Sequence, residues 1–233
     1  MTSLHSNFPA EQPKTLKDAL HHVENILGKV NEKNTRHVVV QINNETEHQP
    51  EQDKPPILIK SRGEFTFGCP YISADSLVFD AIENVQKLIY EDPHSPAPIL
   101  AMDQHRFMAA RFQLRPGNIP EDSWQFDMII TAHSIPKYTG SSYIKGSLEW
   151  VESGLFFEGI AMDYSYGNKG KLIPVIALGE LLLEHSKEQV ILRDRWSLFE
   201  RLRSPSNTSI PAPDFSKPIG KPCTWLTGKA NRK

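Results

Sequence analysis

Two apolar runs in this chain stop on the same triplet. "APILAMDQHRF" (97–107) and "FFEGIAMDYSYGNKGK" (156–171) both read Ala-Met-Asp where a strand would end. Asp103 and His105 stand two apart, so an extended chain turns both side chains to one face. His133, in "ITAHS", and Asp163 close two further apolar runs. Carboxylates and imidazoles gathered from three strand ends would suit a Zn²⁺ or Mn²⁺ ion. Two readings compete with this. Neighbouring strands of an antiparallel meander end at opposite edges, which separates Asp163 from His133. Aspartate also starts turns by bonding its own backbone.

Glu158 raises a separate possibility. Glu152-Ser153-Gly154 reads as a three-residue hairpin loop with glycine last. That loop pairs Val151 with Leu155, and sets Trp150 opposite Phe156 and Ile144 opposite Met162. Glu158 then shares one face with Ile144, Leu148, Trp150, Phe156, Ile160 and Met162. A carboxylate buried there either meets a cation or titrates high, and such groups gather at active sites. A one-residue slip turns it outward instead.

"YGNKGKL" (166–172) offers two glycines with Lys169 and Lys171, a backbone nest for phosphate. The P-loop spacing is absent, and an ordinary turn at Gly167-Asn168 fits equally. Cys69, in "FGCPY", has His133 or His105 as conceivable bases, but no local thiol-enzyme signature surrounds it.

The stretch "PILAMDQHRFMAARF" resembles the segment of ParB and sulfiredoxin-like domains where a strand meets a helix at a basic pair. The resemblance implies that His105 and Arg106 open a helix containing Ala109, Ala110 and Arg111. It also implies that the segment handles nucleotide or phosphate. The glycine before the pair in that family is replaced here by Asp103-Gln104.

The elements needed to position these residues can be read from periodicity. In 15–30, Thr15 and Asp18 form a capping pattern. Leu16, Leu20, Val23, Leu27 and Val30 make one helical stripe. A second helix is predicted over 73–91, with a stripe of Val78, Ile82, Val85 and Ile89 ended by Asp92-Pro93. Strands are predicted in "RHVVVQI", "ILIK", "EFTFG", "PILAMD", "WQFDMIITAH", "SYIKGSLEWV" and "LFFEGIAMDY". "KLIPVIALGELLLEH" reads as strand into helix or as helix, and "RDRWSLFERLRS" as a helix capped by Asp194. The fold expected is α+β: a single domain with a mainly antiparallel β-sheet packed by two or more helices. The expected boundaries are a flexible 1–14, the domain at 15–204, and a proline-rich, basic tail at 205–233.

The 233 residues are 39% hydrophobic and 23% charged, with a net charge of −2. That is ordinary for a globular protein, and it argues against a whole-surface nucleic-acid footprint. No apolar run reaches transmembrane length. The first residues lack a signal-peptide pattern, so the expectation is a cytoplasmic protein with Cys69 and Cys223 reduced. With no strong catalytic motif, the expected function is non-enzymatic: a binding or regulatory protein acting through a macromolecular partner. A protein partner fits best, and nucleic acid would need a local basic patch. The alternative is a phosphate-directed hydrolase, a nuclease or phosphoesterase. There Asp103, His105, Arg106 and Glu158 would be catalytic, Lys169 and Lys171 would hold phosphate, and His133 and Asp163 would bind metal. No cofactor can be named from the sequence.

Overall fold

The structure is a computed structural model, described for residues 10–28, 30–31, 34–35, 38–48, 56–90, 102–117, 123–132, 141–166, 172–200, 214–219 and 221–231. Its elements in chain order are α1 (Leu16–Leu27), β1 (Val30–Asn31), β2 (Asn34–Thr35), β3 (Val38–His48), β4 (Ile57–Phe67), β5 (Tyr71–Ser73) and β6 (Ser76–Tyr90). Next come β7 (Met102–Arg115), β8 (Trp124–Ala132), β9 (Ser141–Val151), β10 (Gly154–Tyr166), β11 (Leu172–His185), β12 (Gln189–Glu200) and β13 (Gly228–Asn231).

The large sheet runs β4-β3-β13-β12-β11-β10-β9-β8-β7-β6-β5, and β4 also pairs with β6. That extra pairing joins the two ends into a closed barrel of ten antiparallel strands, with β5 added on β6. Closure removes the exposed edges of an open sheet. β1 and β2 form a small separate hairpin.

The α+β expectation is therefore corrected to an all-antiparallel barrel with one short helix among the described residues. The predicted helix at 73–91 is the long strand β6. The segments taken as C-terminal helices are β11 and β12. Residues 102–115 form one uninterrupted strand, so no helix starts at His105-Arg106. The reason is alternation. Leu77, Phe79, Ala81, Val85 and Ile89 face inward on β6, at every second residue, as a strand requires. Glu83 and Lys87 occupy two inward positions and break the apolar rhythm that would reveal it.

A row of glycines crosses the barrel wall. Gly146, Gly159 and Gly179 are lateral partners across β9, β10 and β11, and Trp196 on β12 continues the row. A Cβ on Gly179 would lie 2.2 Å from Arg195 O and 2.6 Å from Trp196 Cε3. Only glycine permits so close an approach of neighbouring strands.

One end of the lumen is filled by aromatics. Phe79 stacks on Phe112 at 4.6 Å, Phe126 meets Phe157 edge-on at 4.8 Å, and Trp124 meets Trp150 at 5.1 Å. α1 closes this end, burying Ala19, Val23, Ile26 and Leu27. Its start is fixed by Thr15, whose Oγ1 accepts from the Asp18 N–H. Its end is fixed by Gly28, at φ 92°, which donates its N–H to Glu24 O. His22 ties the helix to the barrel, with Nε2 3.3 Å from Gly154 O and its ring edge-on to Trp150.

Candidate lumenal site

The strand directions bring several predicted residues to one end of the barrel. β7 begins at the end away from α1, and β8 and β10 finish there. Asp103, His105 and Asp163 thus belong to strand ends at one rim, opposite Leu88, Gln86 and Val175 in the ladders. Arg106 lies opposite Val85. The expectation that hairpin direction separates Asp163 from the β8–β9 connection is corrected: β10 runs antiparallel to β9 and so returns to the rim that β8 reaches. The side chains of Asp103, His105, Arg106 and Asp163 lie outside the described residues, as do His133, Lys169 and Lys171 entirely. Among the described residues, no group of three His, Cys, Asp or Glu could hold a metal.

Glu158 is exposed. The hairpin pairs Gly154 with Val151 and Leu155 with Trp150, so its turn holds two residues, Glu152 and Ser153, and not three. This one-residue slip reverses the face of β10. Leu155, Phe157 and Ala161 line the lumen, and Glu158 stands outside between Ser147 and Glu180. Burial and the Glu24 charge push the Cys69 thiol up, which disfavours the reactive thiolate.

A row of buried polar side chains lies inside the barrel. On adjacent strands β3, β4 and β6, Asn44, Ser61 and Lys87 are successive ladder partners. Each shares the inward parity of its strand's core residues and is at most 7% exposed. Glu83 faces the lumen from four residues back along β6. The row is bounded on both sides by apolar surface. Towards α1 lie Ile42 and Val85, part of the main core. Towards the other rim lie Ile57, Ile59 and Ile89, a separate cluster. Gly63 contributes no side chain between Ile42 and Val85. On the other wall, Gly146, Gly159, Ala161, Ala177 and Gly179 present only small groups inward.

Within this row the Nδ2 of Asn44 is buried and has no hydrogen-bond partner. A buried amide donor left unmade costs about 1–3 kcal/mol. The Nε1 of Trp150 is likewise buried without an acceptor, on an indole that meets the His22 and Trp124 rings edge-on.

A second buried polar group closes the barrel seam. Asp194 faces inward on β12 and is fully enclosed. One carboxylate oxygen accepts from Trp196 Nε1 at 2.9 Å and from the Trp225 N–H at 2.6 Å. The other accepts from Thr227 Oγ1 at 2.8 Å. The Leu226 N–H also donates to this carboxylate, and Thr227 Oγ1 accepts the Asp194 N–H in return. Burial pushes the Asp194 carboxyl up, and these donors oppose the shift. The strap they hold also bonds across the seam, with Thr46 Oγ1 3.3 Å from Thr224 O. Trp225 stacks on Trp196 at 5.2 Å. Asp194 therefore latches the C-terminal segment into the wall between β12 and β3, where β13 supplies only four residues.

Periodicity overlooked Asn44, Ser61, Lys87, Glu83 and Asp194. The signal available was a polar residue recurring at the even or odd positions of an otherwise apolar strand. No protein-family model, no curated protein and no solved structure matches the chain.

Proposed function

We propose that this chain is a non-enzymatic binding protein that encloses a small, largely apolar molecule in the barrel lumen. The single observation that carries the reading is the Asn44 amide, a buried donor with no acceptor on the inner face of the barrel. Ten strands support it, since about eight already give an interior that side chains can fill. The small-residue wall of β9, β10 and β11 leaves the aromatic packing to the α1 half. The expected place of action is the cytoplasm. Among the described residues, no helix is long and apolar enough to cross a membrane.

A macromolecular partner would need an exposed apolar patch, for example one face of helix 15–30. That stripe is spent on the barrel: Val23 and Leu27 are buried, and Leu16 and Leu20 pack on the core. That face is therefore closed to a partner, while Ile82, Phe107 and Ile129 stay exposed on the outer wall. The hydrolase alternative keeps one supporting observation, the shared rim of the Asp103, His105 and Asp163 strand ends. Metal analysis of purified protein with a phosphodiesterase screen tests it, and no metal with no turnover refutes it.

The lumen reading is tested with N-phenyl-1-naphthylamine, a neutral probe that fluoresces in apolar surroundings. Saturable binding at one probe per chain is expected, blocked in Ala177→Phe, which fills the small-residue wall. Absence of saturable binding, or binding unaltered by a folded Ala177→Phe chain, refutes the reading.

A further inference from the structure

We infer that the barrel opens sideways as a local event, by parting between β3 and the C-terminal strap (221–227) while the rest of the ring stays closed. The inference goes beyond the lumen reading and does not depend on it. Ladder lengths point to this junction. From β3–β4 and β4–β6 round to β11–β12, every neighbouring pair of the ring is matched at eight or more positions. β13 pairs with β12 at four positions. It pairs with β3 at two, Gly228 with Ile42 and Lys229 with Gln41. Beyond these, the described contact across the junction is Thr46 Oγ1, 3.3 Å from both Thr224 O and Thr224 Oγ1.

The hydrogen bonds of the strap give the reason. Successive N–H groups of a strand point to opposite neighbours. Trp225 and Leu226 both turn theirs to the Asp194 carboxylate on β12, so at least one of them is withdrawn from β3. Cys223 exchanges both backbone bonds with Trp196, and Ile219 donates its N–H to Leu198 O. The strap thus belongs to β12, and Asp194 sits on the hinge side of the opening. Continuing the β13–β3 register sets Leu226 opposite Asn44 and Thr224 opposite Thr46. Leu226 offers no side-chain acceptor, and the unpartnered Asn44 Nδ2 stands in this thinly bonded stretch. Parting here breaks two ladder pairs and one threonine contact, whereas β3 keeps its eleven pairs with β4. Such an opening lies at the low-energy end of the local fluctuations of a folded chain. It uncovers Cys223 and Leu226, which are 4% and 6% exposed when the wall is closed.

Cys223 reports the opening, because it is buried and forms no disulfide. In a Cys69→Ser chain it is the one remaining thiol. Its labelling by 5,5′-dithiobis(2-nitrobenzoate) is followed in the full chain as urea rises towards the unfolding midpoint. At low urea the labelling rate is expected to rise with less than about half the urea slope of global unfolding, since a local opening exposes little new surface. Thr46→Val should raise that rate roughly two- to tenfold, the worth of one hydrogen bond. Gly228→Ala should raise it too, because a Cβ there would lie 2.3 Å from Gln41 O and must push β3 away. If one of these two chains does not fold, the other decides. Phe126→Leu, on β8 across the ring, lowers global stability but should leave the low-urea rate within about twofold. Labelling that carries the full slope of global unfolding at all urea concentrations overturns the inference. So does a rate unchanged in folded Thr46→Val or Gly228→Ala, or one raised as much by Phe126→Leu as by them.

Discussion

Replacing Asp194 with alanine should loosen the barrel seam without touching the rest of the wall. The carboxylate accepts from Trp196 Nε1, the Trp225 and Leu226 N–H groups and Thr227 Oγ1. Alanine leaves those buried donors facing a small void. Each stranded donor costs about 1–3 kcal/mol, but Thr227 can rotate, and part of the Asp194 desolvation cost disappears with the charge. Summed over the stranded donors and reduced by these two gains, the loss expected is about 3–5 kcal/mol. For a chain of this size it lowers Tm by roughly 6–20 °C. Urea unfolding followed by tryptophan fluorescence reads it directly, because Trp196 and Trp225 flank the site. Asp194→Asn should fall between, since it keeps one acceptor but turns an NH₂ group towards N–H donors. The pH dependence has a fixed sign. The folded carboxyl titrates above its unfolded value, so the folded state binds more protons in the window between the two. The Asp194 contribution is then fully present below the unfolded pKa of about 3.9 and declines as pH rises through the folded pKa. The stability gap between wild type and Asp194→Ala should therefore widen on acidification. A loss below about 0.5 kcal/mol, or a gap that narrows at low pH, refutes the latch.

Other outcomes follow from the same structure. Gly179→Ala places a methyl against Arg195 O and the Trp196 ring, and should cost about 1–3 kcal/mol by overpacking in urea unfolding. Asn44→Leu removes an unpaired buried donor, so the unliganded protein should be unchanged or more stable by up to about 2 kcal/mol. A clear destabilisation would mean the amide is satisfied. Burial holds the His22 imidazole below its usual value, so its neutral form belongs to the fold. Stability should fall as pH drops below about 6.5, and His22→Phe should flatten that decline in thermal melts. Glu158→Gln on the outer face should stay within about 0.5 kcal/mol of wild type.

The sequence showed some elements clearly and hid others for a physical reason. α1 was legible from its Thr15-Asp18 cap and its stripe, and the strands from Trp124 to Asp163 from alternation. β6 was hidden because Glu83 and Lys87 occupy inward positions, leaving Val78, Ile82, Val85 and Ile89 to imitate a helical stripe. Asp194 did the same to β12, where Val190, Leu192, Trp196 and Leu198 supply the inward apolar set. In β11, Ile176, Leu178 and Leu182 make the outer positions apolar too, so no period of two stands out. The residues that obscured the strands are the buried polar ones of the lumen and its seam. The β9–β10 hairpin was recognised, but a turn shorter by one residue inverted the face assigned to Glu158. Barrel closure was not legible, since it depends on the β4–β6 pairing and on a glycine row contributed by three strands.

The Asn44 side-chain amide offers the most direct measurement. Its ¹⁵N–¹H₂ resonances can be assigned by their loss in Asn44→Leu and followed as N-phenyl-1-naphthylamine is added to the full chain. The account predicts a saturable shift at one probe per chain, as a molecule enters the lumen beside a buried donor. Probe that binds while the Asn44 amide stays unmoved would contradict it.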